Sequence, residues 1–249
     1  MKREILKVTG LNKSFGGLHA TRDLDFVLSE GDLDAIIGPN GAGKSTLFNL
    51  LTGYYRPDSG TIVFNEEDIT GRLPHEITRL GISRAFQVSN IFSKLTIFDN
   101  VRSSVQAQMG LAFNLFRSAD GIGNEQTEEI LTLCGLLEKS GNIAGALSQG
   151  DKKKLELAIA LAGKPALLLL DEPTAGMSLE ETQETMALVD NLNRERNITI
   201  LFTEHDLSVV FNHARKIALL HHGQIMVQGT PDQVRMNETA QKIYFGEHY

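Results

Sequence analysis

The sequence predicts an α/β fold with a mostly parallel sheet, and three observations carry that prediction. Apolar runs of strand length recur at residues 33–37, 166–170 and 198–202. The second is uninterrupted by any polar residue, as expected of a parallel strand covered on both faces. Each run ends in chemistry. The first opens into Gly38-Pro39-Asn40-Gly41-Ala42-Gly43-Lys44-Ser45-Thr46, the second into Asp171-Glu172, the third into Thr203-Glu204-His205. Open α/β sheets bind ligands at the C-terminal edge of their strands, and this order of motifs gathers polar groups there.

The glycine-rich turn is a phosphate-binding loop. It lies between a predicted strand over 33–37 and a predicted helix over 44–51. Gly38, Gly41 and Gly43 permit positive φ and close approach of the backbone to a ligand. Successive N–H groups can then point into one concavity, and the helix N-terminus adds partial positive charge. In that geometry Lys44 reaches the β- and γ-phosphates, and the Ser45 hydroxyl serves Mg²⁺. Thr46 is placed for the α-phosphate. Gly53 fits a C-terminal cap, so the helix is short.

Residues 82–86 read as a strand that ends at Gln87, whose amide oxygen can face Mg²⁺ or an attacking water. Leu147-Ser148-Gln149-Gly150-Asp151 then opens a helix with Leu155, Ala158, Ile159 and Ala162 on one face. Ser148 is a good N-cap. Lys152, Lys153 and Lys154 crowd the first turn, where cations oppose the helix dipole. They read as a solvated basic face. At the end of the 166–170 strand, Asp171 is a Mg²⁺-side carboxylate. Glu172 points the other way, because side chains alternate along a strand, and can act as general base. A phosphate loop and a paired-carboxylate strand end are the two halves of a nucleoside triphosphate hydrolysis site. His205 arrives at the same edge as Asp171.

This ordered set resembles the nucleotide-binding subunit of ABC transporters, over essentially the whole chain. The resemblance implies a P-loop NTPase core with a mostly parallel sheet, an antiparallel β subdomain and a helical signature subdomain. It also implies ATP and Mg²⁺ as ligands. Residues 38–46 then match Walker A, Asp171 and Glu172 end Walker B, Gln87 is the Q-loop glutamine and His205 the switch histidine. Phe15, in Lys13-Ser14-Phe15-Gly16, matches the aromatic that stacks on adenine. Ser148 and Gly150 match the signature that completes the site of a second ATP-binding subunit, so two copies or paralogues would sandwich two nucleotides head to tail. The chain departs from the family at Gln149 and Asp151 in the signature. It departs again at Ala175-Gly176-Met177-Ser178, where the D-loop loses its aspartate.

Several segments are similar to the ATPases of branched-chain amino-acid importers. They are Phe15-Gly16-Gly17-Leu18, Arg84-Ala85-Phe86-Gln87, residues 95–101, Ala175-Gly176-Met177 and Tyr244-Phe245-Gly246-Glu247. That likeness implies a subunit that energises uptake of a small polar solute. It would sit at the cytoplasmic face of the membrane through permease subunits, with a solute-binding protein acting on the far side. A short permease helix would enter a groove near Gln87 and residues 88–92. The urea or short-amide importers, the lipopolysaccharide-export ATPase and the soluble ATPase of iron–sulfur assembly share many of these motifs. They stand as alternatives.

Composition agrees. The net charge of −7 argues against a nucleic-acid partner. The longest apolar run is too short to span a bilayer, and the charged start lacks a signal-peptide apolar region. A single cysteine, Cys134, excludes a disulfide framework and reads as a core residue. His221 and His222 read as surface residues at a hairpin turn. Four segments are expected: residues 1–88 and 164–232 as the two parts of the ATP-binding core, 89–163 as the helical signature subdomain, and 233–249 as a helical tail.

Overall fold

The structure, a computed structural model, describes residues 2–85, 91–110 and 121–245. Strands β1 (Glu4–Phe15), β2 (Leu18–Ser29), β4 (Ser59–Phe64) and β5 (Glu67–Asp68) form an antiparallel sheet in the order β2-β1-β4-β5. Strands β3 (Leu33–Ile37), β6 (Ile82–Ala85), β7 (Leu167–Asp171), β8 (Thr199–Thr203), β9 (Lys216–His221) and β10 (Gln224–Gly229) form the second sheet, in the order β10-β9-β3-β8-β7-β6. Its pairings are parallel except at β9–β10, a hairpin. His222 and Gly223 turn that hairpin with φ of 48° and 79°. Positive φ at both central residues matches the twist of the flanking strands.

Helix α1 (Lys44–Leu51) lies between the two sheets. Helices α2 (Pro74–Leu80), α3 (Ile97–Gln108), α4 (Asn124–Leu133), α5 (Gln149–Leu161), α6 (Leu179–Arg196), α7 (Leu207–His213), α8 (Pro231–Met236) and α9 (Glu238–Phe245) follow in chain order. Their starts are written in the sequence. Thr96 caps α3 by accepting from the Asp99 N–H at 3.0 Å, and Ser178 and Glu181 cap α6 reciprocally. Pro231 at the first turn of α8, with Thr230 and Gln233, does the same.

The central strands divide their side chains between two cores. Leu168, Leu170, Ile200 and Phe202 join Ala35 and Ile37 against α3–α7. Leu167, Leu169, Leu201 and Ile36 face α1 and the antiparallel sheet, with Leu47, Phe48, Leu50 and Leu51. A strand buried on both faces needs no polar alternation, hence the unbroken apolar run ahead of Asp171. Each fully buried Leu or Phe contributes roughly 1.5–3 kcal/mol. Cys134 belongs to the first core, and burial pushes its thiol up to about 12, so it is inert. No helix among the described residues is long and apolar enough to cross a membrane.

Candidate ATP site

The parallel strands β3, β7 and β8 deliver the 38–43 loop, Asp171-Glu172 and Glu204-His205 to one edge of the sheet. The loop is tightly seated. At Gly43 φ is 109°, and a Cβ there would collide with the carbonyl oxygen of Ala20 on β2. A Cβ at Gly38 would meet the Leu220 carbonyl in the same way. The loop is tied from outside at two points. Gly223 donates its N–H to the Ala42 carbonyl at 2.9 Å, and Gly38 donates to the Tyr244 hydroxyl, 206 residues away, at 2.8 Å.

Lys44 is buried and folds its ammonium back onto the loop, 2.5 Å from the Gly38 carbonyl and 3.2 Å from that of Pro39. Burial pulls its pKa below the usual lysine value, while Glu172 and Asp171 pull it up. The cation thus stands in a pocket of the loop with two carboxylates near. Ser45 is exposed and Thr46 half-buried at the start of α1. The Pro39, Asn40, Gly41 and Ala42 backbone completes the loop ahead of them.

Asp171 is buried, and both of its oxygens are engaged. Oδ1 accepts from the Thr203 hydroxyl at 2.7 Å, and Oδ2 pairs with Arg84 of β6 at 2.6 Å. Glu172 follows with φ of 53°, a left-handed conformation uncommon outside glycine and concentrated at functional sites. Its N–H donates to the Thr203 carbonyl at 3.1 Å, which fixes that turn. Its carboxylate meets the His205 Nε2 at 2.7 Å. Glu204 is buried. It accepts from both the N–H and the hydroxyl of Thr174 at 2.7 Å and from the His205 N–H at 3.1 Å.

Phe15 closes β1, about two-fifths exposed, in an edge-to-face pair with Tyr55 whose ring centres are 5.0 Å apart, and with the Lys13 ammonium 5.5 Å from its ring centre. Ser148 caps α5, accepting from the Asp151 N–H at 3.1 Å. Gly150 faces Glu181 of α6, whose carboxylate oxygen lies where a Cβ would meet it at 2.8 Å. Asp151 is paired with Lys139 at 2.6 Å, which neutralises the charge it brings to the signature. Ser178, in the aspartate-less D-loop, serves as the cap of α6. Gln87 and residues 88–90 lie outside the described residues.

The lysines of α5 are not the solvated face that the sequence suggests. Lys153 is half-buried and donates to the Glu172 carbonyl at 3.3 Å, and Lys154 pairs with Glu184 at 2.7 Å. The first turn of α5 is therefore held against the carboxylate strand end and α6. Arg84, Thr203 and Glu204 join the site although no motif announces them. A lone arginine in the otherwise uncharged strand 82–85 and a glutamate beside His205 were the available signals.

A metal would have to be held with help from the nucleotide. Among the described residues there is no group of three or more His, Cys, Asp or Glu side chains able to hold one. The Ser45 hydroxyl and the Asp171 carboxylate are hard oxygen donors. Mg²⁺ bound with substrate phosphates asks for one or two such groups and waters, so the residues fit it.

A cavity of about 620 Å³ adjoins the site, lined by Asn49, Tyr54, Ile77, Arg84, Glu156 and Ile159 among others. It lies between α1, α2, β6 and α5.

A loop that can wrap phosphates, facing a Glu–His pair across one sheet edge, defines a nucleotide-hydrolysing cassette. Residues 21–175 match the ABC transporter family, and the chain belongs to it; its activity is ATP hydrolysis. The chain is 37% identical to the high-affinity branched-chain amino acid transport ATP-binding protein LivG of Salmonella typhimurium, over 99% of this chain and 100% of that one. It is 36% identical to BraF of Pseudomonas aeruginosa, a protein of the same description, with the same coverage. Among solved structures, the ADP conformation of MJ1267, an ATP-binding cassette of an ABC transporter, superposes with a TM-score of 0.87. It is 30% identical and covers 98% of this chain and 100% of its own.

Proposed function

We propose that this ATP-binding subunit energises the import of branched-chain amino acids. The observation that carries the reading is the end-to-end likeness to LivG and BraF at 36–37% identity, with no part of either relative left unmatched. The tail supports it further, because Tyr244, from the Tyr-Phe-Gly-Glu segment, packs against the phosphate loop itself.

In this reading the 38–46 backbone, Lys44 and Thr46 hold the phosphates, and Phe15 stacks on the base. Ser45, Asp171 and Gln87 would hold Mg²⁺, which would neutralise phosphate charge. Glu172 takes a proton from the attacking water as its oxygen bonds to the γ-phosphorus and the bond to the bridging oxygen breaks. ADP and inorganic phosphate leave. His205, 2.7 Å from the Glu172 carboxylate, orients that base. Ser148 and Gly150 complete the nucleotide site of a second subunit, and loss of the γ-phosphate removes what joins the two. Permease subunits receive the closure in the cavity beside β6, which places the chain at the cytoplasmic face of the membrane. A solute-binding protein supplies the amino acid from the other side.

The test uses tagged Glu172→Gln chain, with Mg-ATP, recovered from detergent-solubilised native membranes. Permease subunits, a second ATPase and a binding protein that takes leucine, isoleucine or valine are the expected companions. Recovery of soluble scaffold proteins alone would overturn the importer reading, and a binding protein selective for urea or amides would replace its solute.

A further inference from the structure

Arg84 is the one charged residue of β6, and its guanidinium is spread across two elements of the site. One nitrogen pairs with Asp171 Oδ2 at 2.6 Å, and a second donates to Asn49 Oδ1 of α1 at 2.6 Å. The guanidinium Cζ stands 5.5 Å from the Phe48 ring centre. The third nitrogen, Nε, is buried without a partner among the described residues. The pair is well removed from water, with side-chain exposures of 13% for Arg84 and 7% for Asp171.

Such an arrangement is a poor way to gain stability. A buried ion pair loses in desolvation much of what it gains in attraction, and an unpaired buried N–H adds to the loss. Its effect on a cation is direct. Arginine keeps its proton under all ordinary conditions. A carboxylate already neutralised at this distance attracts a second cation less, and in a partly desolvated site that reduction is large. The other oxygen of Asp171 is fixed by Thr203, so the carboxylate cannot turn away from Arg84 without breaking that bond too.

We propose that Arg84 is a positioning residue that holds Asp171 in place and, as a resident cation, weakens the hold of the nucleotide site on its divalent ion. The inference rests on the reading of Asp171 as the Mg²⁺-side carboxylate. A restrained metal site would keep the subunit from trapping Mg-nucleotide until its surroundings change.

The experiment measures how much Mg²⁺ tightens binding of a fluorescent ATP analogue to the full chain, as the ratio of affinities with Mg²⁺ and with EDTA. In Arg84→Gln that ratio is expected to rise about tenfold or more, because the competing charge is gone. Arg84→Lys, which keeps the charge, should stay near the wild-type ratio. Asn49→Ala, which frees the guanidinium without removing it, should raise the ratio by less. A merely structural Arg84 would weaken binding equally with and without Mg²⁺. An unchanged or lowered ratio in Arg84→Gln overturns the proposal, and if that variant does not fold, an unchanged or lowered ratio in Asn49→Ala does so. Wild-type binding indifferent to Mg²⁺, or a ratio unaltered by Asp171→Asn, would instead overturn the assignment of Asp171, and the inference with it.

Discussion

Glu172 is held in its unusual φ of 53° by a backbone bond to Thr203, and its carboxylate already touches His205. Replacing the acid by its amide keeps the shape and removes the base. Glu172→Gln should therefore bind ATP with near wild-type affinity and turn it over at least about a hundredfold more slowly, the lower end of what a general base contributes. Steady-state phosphate release alongside a binding titration would check both halves; wild-type turnover would remove Glu172 from the base role. Lys44→Ala should lose nucleotide binding, and retained binding would remove the phosphate-loop reading. Asp34, near the start of β3 and at the end away from the loop, is a residue of a different kind. It is buried, its Oδ2 has no partner among the described residues, and burial, reinforced by Asp32 and opposed by Lys216 and Arg215, pushes its pKa up to about 7. The folded chain then holds a proton that the unfolded chain has already released. The stability this group contributes is complete below about pH 4, declines as pH rises to about 7, and is constant above that. Asp34→Asn should remove that decline, so its melting temperature minus that of wild type should climb over the same interval. A difference independent of pH would show that Asp34 does not titrate there.

At the scale of elements, the start of α5 shows how much of this molecule was legible beforehand. Ser148 is a cap in sequence and a cap in structure, because N-capping is local: one hydroxyl and an N–H three residues on. Strands β3, β7 and β8 and helix α1 were legible for the same reason, as apolar runs of strand length and a glycine turn with its helix. The partners of Lys153, Arg84 and Glu204 were not, since 19, 87 and 30 residues separate them from the groups they hold. No period or spacing encodes a pairing across strands whose order in the sheet is not yet known. Ser148→Ala should cost about 1 kcal/mol in urea unfolding of the isolated chain. In the assembled transporter it should lower turnover well beyond what that loss explains. A stability change with turnover intact would make Ser148 a helix cap and nothing more.

At the scale of the whole molecule, the last helix described closes back on the glycine-rich loop that follows β3. The Tyr244 hydroxyl accepts from the Gly38 N–H at 2.8 Å, and Tyr244 packs against the core that backs the central sheet. Tyr244→Phe leaves the ring and deletes one hydrogen bond, about 1 kcal/mol. Nucleotide affinity should fall roughly three- to tenfold, measured by titration. A lower melting temperature with unchanged affinity would confine Tyr244 to packing the tail. The two sheets were pointed to by the family resemblance alone; their strand order and this closure lie beyond local pattern, and nothing in the sequence pointed to them.

That closure also sets a clock. Gly38 and Tyr244 are 206 residues apart, and a ribosome adding about 5–20 residues per second separates their synthesis by roughly 10–40 s. For most of that interval the growing chain carries a phosphate loop that lacks both outside ties, since Gly223 follows Ala42 by 181 residues and Tyr244 comes later still. The loop therefore reaches its final set of bonds only once residue 244 has been added and folded back onto it.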